Sequence, residues 1–221
     1  MSALSDFIGG GGGLIVRRQL FTANGTWTKP DKLVGGQVFV TAIGGGGSGN
    51  SSSSGLGGCS GAYIIRFPVD VSGTTSESIT VGAGGALING GGINTAGNAG
   101  SPSSFGSLVS VDGAVAAGNS DLYVSFLEGQ NPGSRDGNNM ASISGPFGAT
   151  IAAYSGTNGS AVGGSGLLLN TTGKRAGNAA NVANFSGGNG YGAGGGARGT
   201  NSTDSGAGAS GAVLVEWLEK A

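Results

Sequence analysis

Gln37-Val38-Phe39-Val40-Thr41-Ala42-Ile43-Gly44-Gly45-Gly46-Gly47 is the stretch whose reading decides the fold. Its first part is rich in β-branched and aromatic residues and nearly apolar on both faces, the pattern of a strand at the centre of a sandwich. The glycines end it at once. Upstream, Leu14-Ile15-Val16-Arg17-Arg18-Gln19-Leu20-Phe21-Thr22-Ala23 is dense in strand formers, and Asn24-Gly25 then separates it from Thr26-Trp27-Thr28, which predicts a hairpin. Lys29-Pro30-Asp31-Lys32 makes a second turn. Downstream, past a Ser/Gly loop over 50–58, Ala62-Tyr63-Ile64-Ile65-Arg66-Phe67-Pro68-Val69-Asp70-Val71 and Ser78-Ile79-Thr80-Val81-Gly82 supply further strands. Ala212-Val213-Leu214-Val215-Glu216-Trp217-Leu218 closes the chain with another, so the strand signal occupies both ends.

Between about 82 and 211 glycine dominates, interrupted by Ser107-Leu108-Val109-Ser110-Val111 and Asp121-Leu122-Tyr123-Val124-Ser125-Phe126-Leu127. A long irregular segment sits badly inside a compact domain. Chains in the polyproline-II conformation have three residues per turn, and without side chains they can pack side by side with hydrogen bonds between their backbones. Ordering glycine costs more backbone entropy than ordering any other residue, so such segments need bonded neighbours on several sides. The alternative is a set of glycine-rich loops on an ordinary sandwich. Gly91, Gly97, Gly100 and Gly106 are separated by multiples of three, as stacked three-fold helices would have them. The expectation is therefore an all-β fold, a β-sandwich of N- and C-terminal strands with an inserted glycine-rich region of loops or polyglycine II helices. Residues 1–13 read as an attachment peptide and glycine linker, and 14–221 as a single glycine-rich β domain with its insertion over about 82–211.

Composition narrows the class. Of 221 residues 52 are glycine, yet no Gly-X-Y period exists and 5 prolines are far too few for collagen. Disorder fits poorly, because 37% of residues are hydrophobic, 10% are charged and the net charge is −1. That charge gives no footprint for nucleic acid, which is not expected as a partner. The single cysteine, Cys59, has no intrachain partner for a disulfide and reads as a buried thiol. The first residues have no basic region and too short an apolar run for a signal peptide, and no window approaches a membrane span. An extracellular role would follow release by lysis. Leu4, Phe7 and Ile8 make the leading peptide amphipathic, a plug for a partner.

No histidine occurs, which excludes Ser-His-Asp and Cys-His catalysis and histidine-containing zinc sites. The 11 carboxylates are scattered singly, so only folding could bring two of them to the separation that glycoside hydrolysis needs. Gly192-Ala193-Gly194-Gly195-Gly196-Ala197-Arg198-Gly199 lacks the strand-then-helix setting of a phosphate loop. No enzyme, metal or cofactor is expected. What stands out is aromatics framed by glycine: Tyr123, Phe126, Phe147, Tyr154, Phe185 and Tyr191, candidates to stack on sugar faces or receptor features. Arg135 and Asp136 lie in the most polar and least regular stretch, 130–140, and join them as candidate ligand contacts.

Five pieces follow one another in order: Phe21-Thr22-x-x-Gly25-Thr26-Trp27-Thr28-x-Pro30, the strand and glycine run 38–47, Ile79-Thr80-Val81-Gly82-Ala83-Gly84-Gly85, Ser103-Ser104-Phe105-Gly106, and Gly211-Ala212-Val213-Leu214-Val215-Glu216-Trp217. Together they resemble the glycine-rich domain of bacteriophage tail-fibre tips and related tail adhesins. The resemblance implies neighbouring first and last strands, and exposed loops that recognise bacterial surface polysaccharide or an outer-membrane protein. The function it suggests is a virion structural protein at or near the tail fibre. It would bind other phage tail proteins through its N-terminal peptide and be extracellular after lysis. The mixed composition of 113–160 and a separate Met1 depart from the resemblance and leave a purely architectural subunit, a decoration or fibre-attachment protein, as the alternative. Fibres of this kind suggest a homotrimer, although the sequence has no heptad.

Overall fold

The computed structural model describes residues 13–51, 57–89, 95–116, 190–196 and 204–221. Within them are eight strands: β1 (Leu14–Phe21), β2 (Gly25–Thr28), β3 (Gln37–Ile43), β4 (Tyr63–Asp70), β5 (Ser76–Thr80), β6 (Ser103–Phe105), β7 (Val109–Val111) and β8 (Ala212–Lys220). They form two antiparallel four-stranded sheets, β1-β8-β3-β4 and β2-β5-β6-β7. The fold is all-β, as expected, and the first strand lies beside the last, Leu14 opposite Lys220 through Phe21 opposite Val213.

Alternation along the strands makes the core. Val38, Val40 and Ala42 of β3 and Val213, Val215 and Trp217 of β8 turn to the same face and meet Trp27, Ile79, Phe105, Val109 and Val111 of the other sheet. Trp27 is fully buried, its ring centroid 5.5 Å from Phe105 and 6.1 Å from Trp217, tilted and edge-on arrangements that suit the aromatic quadrupole. Its Nε1 finds no acceptor among the described residues.

The expected hairpin around Asn24-Gly25 does not form. β1 pairs with β8 and β2 with β5, in different sheets. The physical reason is Trp27, which fills the space between the sheets only if β2 belongs to the sheet facing β1. The Asn24 Oδ1 accepts the Val81 amide at 2.8 Å and holds this corner to the end of β5.

Beyond the ends of β3, β5, β7 and β8 the chain enters a second kind of order. Residues 44–51 leave β3 as an extended segment buried along its whole length. Gly44 and Gly47 donate their amides to Ala62 and Cys59, Gly45 and Ser48 to Ser101 and Asn98, and Gly46 and Gly49 to Ala209 and Gly206, at 2.8–3.1 Å. Every third residue thus meets the same neighbour, three residues earlier along it: a three-fold helix packed against three antiparallel ones. The carbonyls of Gly45, Gly46 and Gly47 accept from Ala114, Gly85 and Gly195, which lie on segments running the same way as 44–51. Six segments therefore ring one. Bonds between ring members close it, among them Ala62 to Asp112, Gly100 to Ala114, Ser101 to Ala83, Gly208 to Gly85, Gly206 to Gly196 and Gly58 to Gly195.

This is a polyglycine II bundle, and the choice between helices and loops falls to helices for the described segments. At its glycines side chains are excluded by contact: a Cβ on Gly46 would run into the Ala193 carbonyl, and one on Gly208 into the carbonyl of Gly46. The bundle also differs from expectation in its membership. Its central helix is 44–51, which reads in sequence as a strand end and a loop, well before residue 82. Gly106 is no part of it: with φ 54° it turns β6 into β7. Gly91 lies outside the described residues.

Candidate functional site

The bundle stands on one end of the sandwich, and its members run alternately outward and back. At ~3.1 Å per residue, residues 44–51 reach about 25 Å from the strand that launches them. Ser103 makes the seam: its buried hydroxyl donates to the Ile43 carbonyl at 2.7 Å and accepts the Gly82 amide at 2.9 Å. Ile43 itself lies against Gly192, where a Cβ would strike its side chain. The last residue of the central strand is thereby locked to the first turn of three bundle members.

At the far end, short polar side chains replace glycine and tie outgoing to returning segments. Ser51 donates its amide to the Thr95 carbonyl at 3.0 Å. Ile88 and Ser205 bond reciprocally, the Ile88 amide to Ser205 Oγ at 2.9 Å and the Ser205 amide to the Ile88 carbonyl at 3.1 Å. Asn98 accepts the Ser48 amide at its carbonyl, donates its own amide to Ser48 Oγ at 2.7 Å and places its Nδ2 on the Ala86 carbonyl at 2.7 Å. Leu87 and Val115 are exposed nearby. The chain leaves this end after Ser51, Asn89, Ala116 and Gly196 and re-enters at Gly57, Thr95 and Asp204. These bonds tie the described exit and return points into one hydrogen-bonded platform.

Of the aromatic and polar candidates, Tyr123, Phe126, Arg135, Asp136, Phe147, Tyr154 and Phe185 lie outside the described residues, as do Leu4, Phe7 and Ile8. Tyr191 is described: half-buried, it precedes Gly192 (φ 67°) at the sandwich end of the bundle, away from the far tip. Sequence reasoning missed Ser103, Ser48 and Asn98. Each is an ordinary polar residue in a glycine background, and only the bonds across 21 to 60 positions give it a role.

The opposite end of the sandwich holds an open groove of about 590 Å³, lined by Thr28, Lys29, Pro30, Asp31, Leu33, Gly36, Ser72 and Thr75. Lys29 Nζ donates to the Val71 and Ser72 carbonyls at 3.2 and 3.0 Å, so the ammonium serves the turn. Asp70 accepts the Ser72 amide at 2.8 Å, and this bond first of all holds its carboxyl below the usual range. Glu219 is likewise lowered, first by the Trp217 indole N–H at 2.8 Å and further by Arg17 at 3.1 Å. Among the described residues no group of three or more His, Cys, Asp or Glu stands close enough to hold a metal ion. Cys59 is buried in the bundle and not disulfide-bonded.

A β-sandwich joined end-on to a glycine-rich bundle of three-fold helices defines a class of glycine-rich β proteins. The chain belongs to the glycine-rich domain family, whose model matches residues 19–218. A search of curated proteins finds no match to it.

Proposed function

We propose that this chain is a bacteriophage virion protein at or near the tail fibre that recognises the bacterial surface without covalent chemistry. The observation behind the reading is the far end of the bundle: the connections 52–56, 90–94 and 197–203 leave and return there, and 117–189 departs from it. Loops that must bind without collapsing need a support whose own backbone is satisfied, and the hydrogen-bonded bundle is such a support. The resemblance to tail-fibre tips adds the ligand class, surface polysaccharide or an outer-membrane protein, for which the aromatics at 123, 126, 147, 154 and 185 are the contacts. In this reading residues 1–13 attach the protein to other tail proteins.

The test is sedimentation of purified protein with whole cells of the candidate host. A variant with 52–56 and 197–203 replaced by Gly-Ser linkers of equal length, and one with Tyr154→Ala, stand beside it. Binding by the wild type that the folded variants lose by tenfold or more, about 1.4 kcal/mol, supports recognition by the far end. A folded wild type that does not bind cells but co-purifies with virion proteins would move the assignment to an architectural subunit.

A further inference from the structure

Among the described residues the sheet β1-β8-β3-β4 has two open edges, and they are treated differently. On β4, Val71 donates its amide to the Gly36 carbonyl at 2.8 Å, and in the register Val38 opposite Val69 and Val40 opposite Phe67 the intervening Pro68 faces outward. Proline has no amide to offer there. Arg66, at φ 49° with its amide on Thr41 Oγ1 at 2.9 Å, adds a bulge at the same place. Proline and a bulge are devices that stop a foreign strand from pairing.

β1 has neither. Its eight pairs with β8 are unbroken from Leu14 to Phe21. Ala221 donates to the Gly13 carbonyl at 2.8 Å, so the odd-numbered residues turn their backbone to β8. Alternation leaves the amides and carbonyls of Leu14, Val16, Arg18 and Leu20 on the open side. Leu14, Val16 and Leu20 are 59%, 65% and 48% exposed, an unusual amount of apolar surface on a strand edge.

Charge selects the occupant. Arg18 lies among these apolar side chains and has no ion pair among the described residues, because Glu216, opposite it in the register, is turned to Arg66 at 2.8 Å. A second copy pairing antiparallel through the middle of β1 keeps its faces only if Arg17 meets Arg17 or Arg18 meets Arg18, and like charges directly opposite repel. We infer that the open edge of β1 is a docking strand for an extended segment of another protein, one that places a carboxylate opposite Arg18 between apolar residues opposite Val16 and Leu20. This inference stands apart from the host-binding reading, which concerns the other end of the molecule.

The test is fluorescence anisotropy with the full chain and two labelled peptides, Leu-Thr-Asp-Thr-Val-Thr-Val and the same sequence with Lys in place of Asp. The Asp peptide is expected to bind roughly tenfold more tightly than the Lys peptide. Val16→Pro removes an open-side amide while sparing the β1–β8 ladder and should abolish binding, with circular dichroism confirming the sheets. Arg18→Glu should reverse the preference, a result that loss of folding cannot produce. Equal affinity for both peptides, no binding of either, or indifference to Val16→Pro overturns the inference. So does a dimer in sedimentation equilibrium that Val16→Pro dissociates, which gives the edge to a second copy. Binding that emerges only after residues 1–12 are removed also overturns it, since the chain's own N-terminal segment then covers the edge.

Discussion

Val40 and Gly46 lie on one continuous segment and are both buried, yet nothing that surrounds the first surrounds the second. Val40 is covered by side chains from the facing sheet, and its burial is favourable because apolar area leaves water. Gly46 is covered by backbone, its amide on Ala209 and its carbonyl under Gly85. There the hydrophobic term is small, and what holds the segment is that each donor and acceptor has been taken from water and matched. The sandwich tolerates a change of side-chain volume by shifting neighbours. The bundle has no such play, because its neighbours are carbonyl groups already engaged.

The largest test of this contrast is Gly46→Ala. One methyl group would meet the Ala193 carbonyl, and moving that carbonyl breaks its bond from Ala209. The cost should exceed the ~1–3 kcal/mol typical of overpacking in a side-chain core. Hydrogen exchange should show protection lost first at 44–49 and only later in β3 and β8. Gly73→Ala, in a turn with nothing within 4 Å, should stay within about 0.5 kcal/mol in the same urea titration. If Gly46→Ala costs under ~1 kcal/mol, the bundle yields more easily than close-packed backbone can.

Ser103→Ala probes the seam and should come next. It strips one hydrogen bond from each of two buried backbone groups, the Ile43 carbonyl and the Gly82 amide. Leaving such groups unmatched costs about 1–3 kcal/mol. Because Ser103 belongs to β6 and its partners open two bundle segments, exchange should rise on both sides of the junction together. Loss confined to the sandwich would mean that the two parts are coupled elsewhere.

How much of this was legible follows from the same contrast. Strands announce themselves through side chains, and β3, β4, β5 and β8 stand close to where alternation and β-branching put them. The hairpin expected at Asn24-Gly25 failed because its turn signal is local, whereas Trp27 is placed by a facing sheet that the local sequence does not mention. The central helix 44–51 reads as a strand end and a loop because a glycine helix carries no pattern of side chains. Its period of three lies in which carbonyl each amide reaches, a property of six other segments. For the candidate site the same limit applied to Ser48, Asn98 and Ser103. The open edge of β1 is visible only when β4, with Pro68 and Arg66, is seen at the other side of the sheet.

Acid gives the smallest effect and separates the two regions by chemistry. Both lowered carboxyls, Asp70 and Glu219, belong to the sandwich, whereas the bonds that hold residues 44–49 join amides to carbonyls and a serine hydroxyl, groups that carry no titrating proton here. A carboxyl whose folded value lies below its unfolded value, near 4 for an ordinary Asp or Glu, stabilises the fold fully above that pH. The contribution is lost as pH falls through the folded value. Melting temperature should therefore be level from pH 7 to about 5 and decline below about 4, by a modest amount because solvent screens both groups. Glu219→Gln keeps an acceptor for the Trp217 indole but removes the charge facing Arg17, so it should melt lower than the wild type near pH 7 and match it near pH 2. A difference that persists undiminished at pH 2 would show that Glu219 acts through shape and not charge. Exchange protection at 44–49 should hold until the sandwich itself gives way, since no proton binds there to loosen it first.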